Sequence, residues 1–500
     1  MRPVPSSIRA TPRGAASVIV EAALVALLCC STAARADPPN ASAPNASAPR
    51  AADLEQRLAA QEARLREQEA RLRDQEARLR DQENRLQQQE ARLRATPTRD
   101  PLFGFGSEGF YLGGKDVFQV RLRGILQTDA RAYFSTGTTA IPDQFIIRRA
   151  RPIVEGTVAN VLDFRLVPDF GQGNALLYDA YVNIRILRSI ALRVGKFKSP
   201  FGLERLQNDA YLPFAERGLP SNLVPDRDIG AVLHGDVAGG TFLYELGIFD
   251  GALDNNGANQ DGDTNDGKDL VMRLFGHPLR VLRSPLVRDL GLGVAASWGK
   301  QHGTASLPGV GPYKTTGQNT FFAYLFDQTA LRPTVIAIGD HYRFSPQLYW
   351  YVGPAGLVAE YVYDAVTVSN SLAGAQPRVT LAHQAWQTEV QLVVTGEHAG
   401  YNGVIPRHPF NPWKRRFGAL ELVGRVGQLF IDPKSFPMFA DPKKSASYAL
   451  EWGAGFNWYL IAIFKIAVDF ERTTFHGGGG NLTGDRRPEN ALFARVQLSF

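Results

Sequence analysis

Apolar and polar residues alternate at almost every step from Asn490 to Phe500, with Leu492, Ala494, Val496, Leu498 and Phe500 on one side and Arg495, Gln497 and Ser499 on the other. A strand with lipid outside and water inside needs this period of two. The pattern governs most of the chain beyond residue 117. In Phe118–Phe134 the apolar Phe118, Val120, Leu122, Leu126 and Ala130 oppose Gln119, Arg121, Arg123, Gln127, Asp129 and Arg131. It recurs in Phe145–Thr157, where Ile153 breaks the polar face, in Leu162–Phe170 and in Asp179–Ile186. A less regular strand follows at Ala191–Lys198, where Gly195 is read as a bulge. The alternation returns at Asp228–Asp236, Leu243–Phe249, Asp269–Phe275, Gly291–Lys300, His341–Tyr351, Leu357–Asp364, His383–Val394, Phe417–Gly427, Tyr448–Trp458 and Phe464–Arg472. With the terminal strand these make about sixteen, an even number as single-chain bacterial barrels require. Trp298, Trp350, Trp386, Trp452 and Trp458 all fall on the apolar side, as a girdle at a lipid interface does, whereas a soluble double sheet would keep such rings inside.

A different period rules Asp53–Ala95. There a seven-residue repeat close to QEARLRD places Leu58, Leu65, Leu72, Leu79, Leu86 and Leu93 at position a of a heptad, with Leu54, Gln61, Gln68, Gln75, Gln82 and Gln89 at d. The seam predicts a register-specific coiled coil, with i to i+4 acid and arginine pairs supporting each helix. Burying only leucines makes a lone helix marginal, so self-association is expected, with three strands favoured. The fold class is therefore an all-β transmembrane barrel of antiparallel strands preceded by a periplasmic α-helical coiled coil.

Connection lengths add an orientation. Arg188-Ser189, Ala238-Gly239-Gly240 and Gly353–Gly356 are short, whereas Ser199–Arg227, Gly251–Lys268 and Gln301–Asp340 are long. Short periplasmic turns and long external loops are the usual asymmetry. Gly396–Trp413 breaks it, being long on the periplasmic side, and its Pro406, Arg407, His408, Pro409 and Pro412 suggest a plug bent into the lumen.

Composition then sets the compartment. Arg2, Arg9 and Arg13, an apolar stretch through Leu24–Leu28 and Ala34-Arg35-Ala36 have the order of a signal peptide with an A-x-A cleavage site, Glu21 being its one blemish. Cys29 and Cys30 leave with it, which excludes disulfides, thiolate metal sites and a cysteine nucleophile from the mature chain. The formal charge of +6 falls to about +3 without the signal's four arginines and one glutamate, an excess that argues neither for nor against an anionic partner; no nucleic-acid partner is expected. The expected organisation is a signal peptide at 1–36, a disordered linker at 37–52, the coiled coil at 53–95, a second linker at 96–116 and the barrel at 117–500, in the outer membrane of a Gram-negative bacterium.

Several stretches then carry a resemblance: IIRRARPIVEG at 146–156, LRVGKFKSPFGLERL at 192–206, FAERGLP at 214–220, VTGEHAGY at 394–401, GALELVGR at 418–425 and GFNWYL at 455–460. In this order the chain resembles the phosphate-selective porin O and P family over roughly Val117–Phe500, but not over the coiled coil. The resemblance implies a trimeric sixteen-stranded channel narrowed by the third and fifth external loops and one inward periplasmic turn. Those elements correspond to Ser199–Arg227, Gln301–Asp340 and Gly396–Trp413.

An anion channel needs cationic side chains that replace water around the ion without any one site holding it too tightly. Arginine suits this through its planar fork and permanent charge. The polar faces of the first five strands carry Arg121, Arg123, Arg131, Arg149, Arg151, Arg165, Arg185 and Arg193. Arg148-Arg149 resembles the family's paired constriction arginines, with Arg148 facing inward only if the strand is bulged there. Lys198, Arg205 and Arg217 flank or lie in the third loop. Small inorganic anions, phosphate among them, are the expected partners beside the lipid bilayer. The polar faces also bear Asp129, Glu155, Asp163, Asp169, Asp179, Glu360, Glu389, Glu421, Glu451, Asp469 and Glu471, so a cross-wall ladder of ion pairs is the competing role. A general diffusion porin, and an envelope tether contacting the cell wall through the coiled coil, are the alternative functions.

Other chemistry finds little support. In the Asp-rich loop Asp250–Asp269, Asp266 replaces the glycine of a calcium loop and Met272 its bidentate glutamate. His341, His383, His398, His408 and His476 have no metal-ligand spacing, no cofactor is implied, and no Ser, His and acid constellation argues for an enzyme.

Overall fold

The computed structural model describes residues 48–95, 103–106, 109–113, 117–134, 142–252, 254, 266–282, 284–327, 332–371, 377–481 and 484–500. The expected signal peptide, the linker up to residue 47 and the centre of the Asp-rich loop lie outside them. Two units divide the chain between Thr98 and Arg99.

The first unit contains one helix, α1 (Ala48–Ala95). It starts before the expected boundary, because Ala48, Ala51 and Ala52 are strong helix formers and extend it into the linker. Pairs one turn apart brace its surface, Arg71 to Glu67 at 2.7 Å and Arg78 to Asp74 at 2.8 Å. Leu72 and Leu79 of the heptad stripe remain exposed.

The second unit is a closed barrel of sixteen antiparallel strands: β1 (Phe118–Tyr133), β2 (Gln144–Val158), β3 (Leu162–Asp169), β4 (Leu176–Leu187), β5 (Ile190–Lys198), β6 (Arg227–Val237), β7 (Phe242–Phe249), β8 (Asp269–Gly276), β9 (Gly291–His302), β10 (Val335–Val352), β11 (Ala355–Asn370), β12 (Arg378–Val393), β13 (Ala419–Phe430), β14 (Ala446–Ile461), β15 (Phe464–Gly477) and β16 (Glu489–Ser499). Each pairs with its sequence neighbours, and β16 closes on β1 from Ala491↔Tyr133 to Ser499↔Ile125. The backbones of Gly124 and Phe500 then exchange two hydrogen bonds, at 2.9 and 3.1 Å. Closure leaves no open sheet edge in the hydrocarbon, which is why lipid selects this architecture.

All sixteen alternating segments are strands, with ends shifted by a few residues. Two local readings change, and one stated condition is met. Gly195 pairs with Tyr181 in unbroken register and is no bulge. It is needed for its φ of +129° and because a Cβ there would lie 2.2 Å from the Ala180 carbonyl oxygen. A shift does occur at Arg148, since Gln127 faces Arg149 while the next residue, Thr128, faces Ile147. Part of the expected 96–116 linker forms a hairpin, Phe103–Gly106 with Gly109–Leu112, whose second arm pairs with β1. Its aromatic and glycine alternation was long enough for short strands.

The two faces invert the distribution of a water-soluble protein. Outward Leu126, Leu246, Phe344, Leu392, Leu422 and Val496 are exposed, while inward Gln127, Asp129, Ser345, Glu389 and Asn457 are buried. Trp298, Trp350 and Trp452 are exposed on the outward face.

Candidate functional site

What fills the lumen is the connection between β5 and β6, residues 199–226. Its sequence is unusually apolar for a loop, and Phe201, Leu203, Leu212, Phe214, Leu219 and Leu223 are fully buried. Such burial is tolerable only where backbone groups find partners, and the inward side chains of the wall supply them. On one side the amides of Leu203, Leu219 and Ala215 donate to Glu360 (2.7 Å), Glu451 (3.1 Å) and Asp469 (3.2 Å). Carbonyl oxygens of the same loop accept from Gln127 at Asp209 (3.0 Å), Lys465 at Leu212 (2.9 Å), Asn457 at Pro213 (2.9 Å), Arg495 at Ala215 (2.6 Å) and Arg425 at Glu216 (2.9 Å).

Two further segments meet this loop. In the β9–β10 connection, residues 303–334, Lys314 exchanges backbone hydrogen bonds with the Asn222 side chain at 2.8 and 2.9 Å, and Phe321 and Phe322 are buried. From the opposite end comes the β12–β13 connection, where Tyr401 donates to the Leu203 carbonyl (2.5 Å) and accepts from Gln207 through its own carbonyl (2.7 Å). Only its first part turns inward, with Ala399, Val404 and, of the expected plug, Pro406 buried. Arg407, His408, Pro409 and Pro412 are exposed, so those members of the expected plug do not fill the lumen. Their prolines shape a protrusion instead.

Two loop carboxylates organise the basic wall. Glu216 accepts from Arg131 (2.5 Å) and, through both oxygens, from Arg148 (2.6 and 3.0 Å). The bulge lets Arg148 and Arg149 both turn inward. Arg149 donates to Gln127 at 2.6 Å and lies 3.4 Å from Asp209. Asp209 also pairs with Arg217 at 2.6 Å and with Arg151, which reaches Asp169 at 2.6 Å. Arg495 of β16 completes the group on Asp129, at 2.6 and 2.8 Å. Burial raises the affinity of Asp209 and Glu216 for a proton, but the arginines around them win and hold both carboxyls well below the usual range.

The remaining expected residues lie around this cluster. Lys198 donates to the Gln207 carbonyl (2.8 Å), and Arg205 pairs with Asp226 (3.3 Å). Nearer the end that holds the barrel's termini, Arg123 and Arg165 share Glu155 (3.2 and 2.8 Å) and Arg185 pairs with Asp163 (3.0 Å). Arg193 stacks over Tyr181 (4.8 Å), and Arg121 donates to Gln119 (3.3 Å). These five stay partly exposed.

Across the lumen the balance reverses. Arg425 of β13 is surrounded by Glu471 (2.5 Å), Glu389 (3.3 Å), Glu451 (3.5 Å) and the loop's Glu204 (3.6 Å). Sequence reasoning listed these wall acids but missed Arg425, Arg495, Glu204, Asp209 and Glu216 as hubs. The inward phase of Arg495 and the charged pair Glu216-Arg217 were the available signals. Also unforeseen, one ligand atom each of Asp254, His341 and Asp364 lies within 4.8 Å of the others, from segments far apart in sequence. Arg343 already engages that group, 2.9 Å from Asp254 and 3.2 Å from His341 Nδ1.

With this geometry in view, the family model described as phosphate-selective porin O and P matches residues 118–500. The chain belongs to that family. It is thus an outer-membrane porin, a channel for diffusion. No curated protein matches it. Among solved structures, the outer-membrane channel DcaP of Acinetobacter baumannii is 10% identical with a TM-score of 0.48, covering 77% of this chain and 99% of its own. The trimer form of OmpT from Vibrio cholerae is 10% identical with a TM-score of 0.47, covering 77% and 100%. Salmonella typhi OmpF in complex with daunomycin is 11% identical with a TM-score of 0.44, covering 77% and 98%.

Proposed function

We propose that this porin passes small anions, phosphate among them, along the arginine wall of β1–β5. One observation carries the reading. On the side of the constriction nearer the barrel's termini, the partly exposed Arg123, Arg165, Arg185 and Arg193 meet three carboxylates, Glu155, Asp163 and Asp179, the last of them shared with Arg227. Incomplete neutralisation leaves a positive field where an ion enters, and arginine keeps that charge at every relevant pH. Arg148, Arg149, Arg151, Lys198, Arg205 and Arg217 act one step further in, holding the loop through Asp209, Glu216 and Asp226. The acidic surroundings of Arg425 favour a second reading, a general diffusion porin with opposed charged walls.

Reversal potentials in planar bilayers under a KCl gradient, repeated with added phosphate, separate the two. Chloride selectivity with block by phosphate supports the anion pathway; weak selectivity without block supports general diffusion. We further propose a homotrimer whose α1 helices, continuous with the expected 53–95 coiled coil, associate in the periplasm and reach toward the cell wall. The exposed Leu72 and Leu79 stripe supports this. Deleting residues 53–95 and measuring mass in detergent tests it, and loss of envelope integrity with uptake preserved would favour a tether.

A further inference from the structure

The outer part of the β12–β13 connection has no role in the lumen. From Pro409 to Phe417 it folds back as a compact finger. The backbones of Asn411 and Arg416 exchange hydrogen bonds at 2.8 and 3.0 Å, the Asn411 side chain accepts from the Lys414 amide at 3.0 Å, and Arg415 turns the chain at a φ of +51°. The turn is therefore built, and what it displays is specific. Trp413 is 89% exposed and Phe417 65%, and between them stand exposed Lys414, Arg415 and Arg416. Those three cations form no ion pair among the described residues, in contrast to the arginines of the lumen.

Its position says what it meets. Phe410 packs edge-on against Trp458 at 5.5 Å, and the Trp458 indole donates to the Phe417 carbonyl at 2.6 Å. Trp458 points outward from β14, since its neighbours Asn457 and Tyr459 reach inward to Glu421 at 3.0 and 2.9 Å. It also lies close to the strand's end at Ile461. The finger is thus fastened to the lipid-facing girdle on the short-turn side of the barrel. In an outer-membrane barrel that side abuts the leaflet of phospholipids. An exposed indole and phenyl ring next to unpaired Lys and Arg is the chemistry of a headgroup layer, with rings at the interface and cations on phosphates.

We propose that Trp413, Lys414, Arg415, Arg416 and Phe417 form a binding site for the headgroup phosphates of anionic phospholipid, fixing the barrel's depth and rotation in the inner leaflet. The test uses the full chain in vesicles of phosphatidylglycerol with phosphatidylethanolamine. Lipid retained after detergent extraction is counted by native mass spectrometry for wild type and for K414Q/R415N/R416Q, with heat-shifted gel mobility verifying the folded barrel. Asparagine at 415 tolerates the left-handed backbone. With three cations removed from an anionic surface, the triple variant should lose affinity for phosphatidylglycerol by roughly a hundredfold, with phosphatidylethanolamine little changed. W413A/F417A should lower retention of both lipids. Equal phosphatidylglycerol retention in wild type and triple variant overturns the proposal. So does displacement of the lipid by inorganic phosphate at equal concentration, which would indicate a free-anion site, and so does its displacement by added polyglutamate peptide at equal concentration, which would indicate an acidic protein partner.

Discussion

Replacing Glu216 by glutamine tests how the arginine wall is charged. The carboxylate is buried and neutralises Arg131 and Arg148, with Arg495 3.8 Å away. Glutamine keeps the shape and one acceptor but removes the charge, and Arg148, the bulged and partly exposed member, is released toward solution. Losing one partner of a buried pair costs about 3–5 kcal/mol, here spent on loosening the loop because the wall strands keep their ladders. For an ion passing at about 8 Å, an added unit charge is worth about 0.5 kcal/mol in water. It raises anions and lowers cations together, so the chloride to potassium permeability ratio should rise about sixfold at low salt. At physiological ionic strength one screening length intervenes, and the rise falls to about twofold. Reversal potentials under a KCl gradient measure the ratio, with heat-shifted gel mobility as the control for folding. An unchanged ratio in a folded barrel, or a shift toward cations, would refute the claim that Glu216 limits the field of Arg148.

Three other expectations follow from the same geometry. Arg425→Met leaves Glu204, Glu389, Glu451 and Glu471 without their central cation and should destabilise the folded barrel by about 3–5 kcal/mol, read as a lower temperature of the gel-mobility transition; Arg425→Lys should recover part of it. Gly195→Ala forces a side chain onto a φ of +129° against the Ala180 carbonyl and should cost about 1–3 kcal/mol in urea unfolding from vesicles. For pH, Asp209 and Glu216 have folded-state affinities for protons below those of unfolded carboxylates, so their contribution is fully present above pH about 4 to 4.5 and is lost only as acid reaches their depressed values. Infrared carboxyl bands assigned to these two residues by difference against D209N and E216Q should therefore stay in the ionised form from neutral pH down through about 4; protonation of either near pH 6 would contradict the pairing.

The wall was legible because lipid leaves so little freedom. Every spanning segment must alternate, and a one-residue slip would turn charges into hydrocarbon, so β9 through β16 could be placed from the alternation alone. Where residues act one at a time, legibility ended. Arg148 and Arg149 occupy opposite faces by strict alternation, and only the register shift against Gln127 and Thr128 brings both inward. Asp129 meets Arg495 across the closure of the barrel, a contact set by the pairing of the first and last strands rather than by local sequence. Gly195 was misread because a positive φ and a bulge call for the same residue. The inward turn was recognised by its length, yet Pro409 and Pro412 mark the exposed finger and not the buried part, where Ala399, Tyr401, Val404 and Pro406 lie.

The loop's own polarity explains why it lies where it does. Its carboxylates Asp209 and Glu216 face the basic wall, while the amides of Leu203, Ala215 and Leu219 face Glu360, Asp469 and Glu451 on the acidic one. Each wall therefore meets groups of opposite polarity, and turning the loop over would set acids against acids. Backbone amides cannot be mutated away, so the acidic wall is needed to seat the loop whatever ion passes. The side chains free to tune selection are those with little structural duty, the partly exposed arginines on the terminus side. Selectivity in this porin should accordingly respond to Arg121, Arg123, Arg165, Arg185 and Arg193 in small separable steps, and to the loop's hubs only through displacement of the loop itself.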